Sequence, residues 1–157
     1  MIEKKIDKIF VFTKRQAVLI ADEAKKKGID IILDAAHSFG LFDFKVPSSN
    51  CDYMGTSLHK FLCAPFGSGM YYIRKEKIKD VWPLLASSVA DDDIRKFETI
   101  GTRSFASEMA IGAAVDFHNV IGSKRKEDRI RFLKNYWTEK VTKNPKVKVH
   151  TSTNPKH

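Results

Sequence analysis

An acid, two imidazoles, a hydroxyl and an amine fall in two short clusters, DAAHSFG at 34–40 and SLHKF at 57–61. Asp34, His37, Ser57, His59 and Lys60 are residue types that move protons, hold anions or, for a lysine amine, bond covalently to a substrate. Lys60 sits between apolar neighbours just after a run that reads as a buried strand, so it is either a reagent or a surface charge. Taken singly, each residue has an ordinary reading. An aspartate at a strand end often caps a helix or shapes a loop, and a single histidine more often packs than binds. Gathered at successive strand ends, the five make a polar pocket on an apolar scaffold, the usual sign of a site.

Strands must place these clusters. KIFVFT at 8–13 is β-branched and aromatic, and QAVLIADEAKKK at 16–27 puts Val18, Leu19, Ala21 and Ala24 on one helical face. Gly28 then ends that helix. IDIIL at 29–33 is a continuous apolar run suited to a strand covered on both faces. Further strands are expected at 51–56 and 69–74, joined through the glycine-bearing APFGSG, with a short helix at 75–82 before Pro83. Downstream, the small and apolar residues of 105–121 predict a buried helix ending at Gly122. Ser123 is the expected N-cap of the next helix, where Ile130, Leu133, Trp137 and Val141 form a stripe. KVKVH at 146–150 alternates like an edge strand. The order is an α/β layer followed by helices. Ligand sites in open α/β sheets lie at the carboxyl ends of strands, so both clusters are expected on one edge.

Composition limits the remaining choices. The 157 residues are 43% hydrophobic and 30% charged, enough for one folded domain. The longest apolar runs fall far short of the roughly 20 residues of a membrane-spanning helix, and a cytoplasmic chain is expected. Cys51 and Cys63 lack zinc-ligand spacing, sit beside apolar residues, and are expected to be plain buried thiols. No metal site is expected. The net charge of +9, from 28 Lys and Arg against 19 Asp and Glu, lies in runs mixed with acids at helical spacing. Solvated helix faces account for them better than nucleic-acid binding does.

The combination ILDAAHSFG, CDYMGTSLHK, GSGMYYIR and FETIGTRS resembles the class V aminotransferases, fold type I pyridoxal-phosphate enzymes that include cysteine desulfurases and isopenicillin N epimerase-like proteins. The resemblance covers roughly 16–150, with Leu58 standing where the family more often has a small residue. It implies the central part of a large α/β domain, mostly parallel sheet with helices, incomplete at both ends. Residues 1–122 would belong to the cofactor-binding large domain, and 123–157 would hold a helix and the start of a small domain. The cofactor implied is pyridoxal 5'-phosphate and the substrate an amino acid.

By the same resemblance Lys60 forms the Schiff base and moves protons, which requires an amine able to lose its own proton. Asp34 pairs with the pyridine nitrogen. His37 contacts the ring edge or phenolic oxygen, and Ser57 and His59 hold the phosphate. Thr102 reaches the phosphate of a partner in a homodimer, and Arg103 is either a further site contact or a structural ion pair. Transamination, epimerisation, desulfuration and elimination would all share Asp34 and Lys60; neither Cys51 nor Cys63 suits a desulfurase nucleophile, and an aminotransferase or epimerase-like reaction is expected. The family's glycine-rich phosphate turn, stacking aromatic and carboxylate-binding arginine are expected outside these 157 residues, so the chain is expected to be a fragment. The alternative is a non-catalytic remnant or interaction module using its basic surface.

Overall fold

The structure, a computed structural model, describes residues 8–11, 20, 21, 23–99 and 101–150. Four strands form one sheet in the order of the chain: β1 (Lys8–Val11), β2 (Asp30–Asp34), β3 (Tyr53–Ser57) and β4 (Gly69–Ile73). β1 and β2 pair in parallel, as do β2 and β3, while β4 runs antiparallel to β3. The four expected strands are therefore present, with described ends shifted by at most two residues, and residues 12 and 13 of the first lie outside the described set. Of the helix expected at 16–27, residues 20, 21 and 23–26 are helical and Lys27 is already in a turn, and its other residues lie outside the described set.

Alternation along β2 explains the core. Ile31 and Leu33, followed by Ala35, are completely buried on one face with Met54, Cys51, Ala21 and Ala24. Ile32 packs on the other face against Tyr53, Ile73 and Ile78. Both faces of β2 are covered, as its unbroken apolar run requires. Each large side chain removed from water here contributes about 1.5–3 kcal/mol. A buried acid anchors the start of β3. Asp52 accepts the amide proton of Ile31 on Oδ2 at 2.9 Å and faces Arg74 Nε from Oδ1 at 3.4 Å. Arg74 also donates to the carbonyl of Cys51 at 3.0 Å.

Several expectations need correction. The helix expected at 75–82 is a 3-10 helix, Lys75–Asp80. The single helix expected at 105–121 is two, α1 (Phe105–Met109) and α2 (Ile111–Ile121), divided at Ala110. Nor is it buried. Among these residues only Ala114 is enclosed, and Phe105, Met109, Phe117 and Val120 are more than half exposed. Gly122, at φ 87°, turns the chain into α3 (Ser123–Val141) and takes the cap position expected of Ser123. The stripe on α3 is there but only half covered. Residues 146–150, expected as an edge strand, form none. Cys51 is buried, but Cys63 is exposed. Its loop turns through Cys63 at φ 64° and buries the flanking Leu62 and Ala64 instead.

The basic runs are only partly solvated helix faces, since Arg74 and Lys77 turn inward to Asp52 and Asp30. On α3, Lys124 pairs with Asp128 and Arg131 with Glu127, each one helical turn apart. Among the described residues no helix is long and apolar enough to cross a membrane.

Candidate active site

Parallel pairing of β2 and β3 brings both clusters to one edge of the sheet. Register places Asp34 opposite Gly55. The strand ends are locked just beyond that point: Ala35 N donates to Gly55 O at 2.9 Å, and Thr56 Oγ1 donates to Ala35 O at 3.1 Å. Asp34 is exposed at the end of β2, and its Oδ1 accepts from Ala36 N at 2.9 Å. That is the loop-shaping role of an aspartate in a turn. It occupies one carboxylate oxygen, and Oδ2 has no partner among the described residues.

The chain then turns over Ala35 and Ser38 to Gly40, where a positive φ of 74° and a neighbour both demand glycine. A Cβ at Gly40 would stand 2.8 Å from the amide nitrogen of Leu62. The loop carrying His37 thus lies directly against the loop carrying Lys60. Across this contact Lys60 Nζ and His37 Nε2 are 3.2 Å apart. An ammonium at Lys60 donates to Nε2 when the imidazole carries its proton on Nδ1.

β3 and β4 hold the second loop at both ends. Leu58 N donates to Ser68 O at 3.0 Å, and Ala64 N to Leu58 O at 3.1 Å. His59 stands 3.1 Å from the Ser68 carbonyl through Nδ1, which must be the protonated nitrogen because a carbonyl only accepts. Its ring leans on exposed Phe66 with centroids 5.2 Å apart. Ser57 ends β3 half-buried, opposite Gly69. Leu58 is buried and packs with Leu62, Ala64 and Ala114, so the residue unusual at that position serves packing.

Asp34, His37, Ser57, His59 and Lys60 are thus gathered on adjacent strand ends. Thr102 is exposed before α1 and makes no hydrogen bond with any of them among the described residues. Arg103 forms an ion pair with Glu108 and lies over the Phe105 ring. Two residues have a place here that sequence did not single out. Lys126 and Glu127, read only as part of a basic helix, reach backbone groups of the two loops. Nothing in their spacing separates them from their solvated neighbours.

Comparison with known proteins follows the same order of elements. Residues 14–157 match the family described as Aminotransferase class-V. The chain belongs to that family. Its members are pyridoxal-phosphate-dependent enzymes of amino acids. This class V aminotransferase chain is 27% identical over 142 residues to isopenicillin N epimerase of Amycolatopsis lactamdurans, covering 80% of the chain and 36% of that protein. It is 28% identical over 149 residues to a probable cysteine desulfurase of Synechocystis, covering 88% of the chain and 35% of that protein. The apo cysteine desulfurase of Thermococcus onnurineus superposes with a TM-score of 0.79 at 24% identity, over 98% of the chain and 43% of that structure. The class V chain therefore carries part of a fold type I domain, and it spans about a third of the length of the relatives it matches.

Proposed function

We propose that this chain supplies the lysine-bearing half of a pyridoxal 5'-phosphate site in an enzyme acting on an amino acid by transamination or epimerase-like chemistry. The observation that carries the reading is the 3.2 Å approach of Lys60 Nζ to His37 Nε2, on the edge where Asp34 ends its strand. Asp34 and His37 are exposed there and Lys60 is half-exposed, so all three are open to a ligand.

When bound, pyridoxal 5'-phosphate supplies an aldehyde that condenses with an amine and a ring that draws electron density from the substrate Cα. The chain's own groups have separate tasks. Lys60 is the amine that bonds the cofactor and then carries a proton at the substrate Cα. Asp34 offers its free oxygen to the pyridine nitrogen and keeps a proton there. His37 holds the Lys60 amine in place and would hold the ring edge of a bound cofactor. Ser57 donates a hydroxyl to the phosphate. His59 keeps Nδ1 on the Ser68 carbonyl, so only Nε2 is left for phosphate, and a ring donating from both nitrogens adds a positive charge.

Residues 1–122 read as part of the cofactor-binding domain and 123–157 as the start of a smaller one, in a cytoplasmic homodimer where Thr102 serves the partner's phosphate. The test is direct. Purified chain is mixed with pyridoxal 5'-phosphate, reduced with borohydride and digested. A pyridoxyl group on Lys60, absent in Lys60→Ala, is expected. Labelling spread over surface lysines would reject the reading and favour a non-catalytic module.

A further inference from the structure

One side chain of α3 bonds the loop that carries Lys60, and His118 of α2 braces it. Lys126 Nζ donates to the carbonyl oxygen of Phe61, the residue next to Lys60. It also lies 3.3 Å from His118 Nδ1, and His118 Nε2 lies 3.0 Å from Ser123 Oγ. A single proton arrangement satisfies all of these contacts. Neutral His118 carries its proton on Nε2 and donates it to Ser123, while the Nδ1 lone pair accepts from the Lys126 ammonium. Burial and the adjacent Lys126 charge both hold His118 below its usual range, against a smaller opposing pull from Asp43.

The next residue of the helix grips the other loop. Glu127 Oε2 accepts the amide proton of Asp43 at 2.8 Å, and Oε1 accepts from Arg131 Nε at 2.8 Å. Asp43 closes the segment that carries Asp34, His37 and Gly40. Two adjacent charged residues on one helix thus bond backbone atoms of both site loops, which touch each other at Gly40 and Leu62. Charged groups bonded to backbone are roughly twice as strong as neutral pairs. Lys124, two positions earlier, spends its hydrogen bonds on exposed Asp128 and donates none to the loop of Lys60.

We propose that the start of α3 clamps the two loops of the site in register, with Lys126 as the positioning residue for Lys60 and Glu127 for the loop of His37. The clamp concerns backbone placement and touches no reacting atom. Its importance for catalysis rests on the function proposed above, whereas its existence does not.

Amide hydrogen exchange on the chain without cofactor tests it. Lys126→Met keeps the length of the side chain and removes the donor. Exchange in 58–64 is expected to rise roughly tenfold, as loss of one charged hydrogen bond allows, with β2 and β3 unchanged. Lys126→Arg is expected to restore protection, and Lys124→Met to leave it intact. Unchanged exchange in 58–64, or an equal rise throughout the sheet, would overturn the proposal. If Lys126→Met loses its cooperative fold, Glu127→Ala probes the other arm. Faster exchange at Asp43 supports the clamp there, and unchanged exchange refutes it. A cofactor arm adds a readout of position. At limiting pyridoxal 5'-phosphate, Lys126→Met is expected to lose most borohydride-fixed label at Lys60 and Lys126→Arg to regain it. A wild-type chain that takes no label at Lys60 fails the proposed function, and the exchange results then decide the clamp alone.

Discussion

Lys60 and His37 meet across two loops that leave neighbouring parallel strands, with 3.2 Å between Nζ and Nε2. Neither residue reaches the other through its own strand. Their contact measures how well the two loops are aligned, and removing the imidazole deletes one hydrogen-bonding group from the edge of the pocket. His37→Leu is expected to weaken capture of pyridoxal 5'-phosphate by roughly tenfold, the scale of one hydrogen bond to a charged group. Titration of the borohydride-fixed adduct at Lys60 reads this, and an unaltered midpoint would remove His37 from the site.

Gly40 sets the distance between the same loops. Alanine there meets both the left-handed backbone and the Leu62 amide, so Gly40→Ala is expected to cost about 2–3 kcal/mol. The urea midpoint measures it. A variant as stable as the parent would mean that the two loops do not lie in contact.

Asp52 is 5% exposed and holds both the Ile31 amide and the Arg74 guanidinium. Replacing it with alanine leaves the Ile31 amide without its acceptor and Arg74 without its buried counter-ion, at an expected cost of about 3 kcal/mol. Asp52→Asn keeps one acceptor and is expected to cost less. Equal unfolding free energies for the two variants would contradict the hydrogen-bond part of this account, since both lose the charge and only asparagine keeps an acceptor.

His118 makes stability fall on the acid side. Its folded-state pKa is lowered by burial and by Lys126, so the unfolded chain takes up a proton first as pH drops. The stabilisation is fully present above the unfolded value of about 6.5 and is lost as pH falls through the lower folded value. Unfolding free energies measured between pH 7.5 and 5 are expected to slope less in His118→Gln than in the parent. Parallel slopes would show that His118 is not the group responsible.

The sheet was legible in sequence because β2 is a short, strongly apolar run and both β2 and β3 are bounded by turns. So was the common edge, since it follows from parallel order alone. The extent of burial was not legible. Apolar residues at 105–121 announce that a face is to be covered, but Phe117 and Val120 do not say by what, and their partners are not among the described residues. Cys63 misled for a related reason, because an apolar neighbourhood in sequence does not fix which residue of a turn points inward. Lys126 was hidden by its company. A basic residue in a basic run looks solvated until the helix is docked.

The loop bearing Lys60 joins the antiparallel pair, and that gives the site an order of assembly. Pairing β3 with β4 closes a short stretch of chain, an event on the order of microseconds for a hairpin. Setting β2 beside β3 in parallel closes a longer segment and comes later. The amine is therefore expected to be seated before Asp34 and His37 arrive. Pulse-labelled exchange during refolding would show β4 amides protected ahead of those of β2, and the reverse order would refute this sequence of events. Synthesis from the N-terminus delivers the strands in the opposite order, so a nascent chain holds its acid before it has anything to orient.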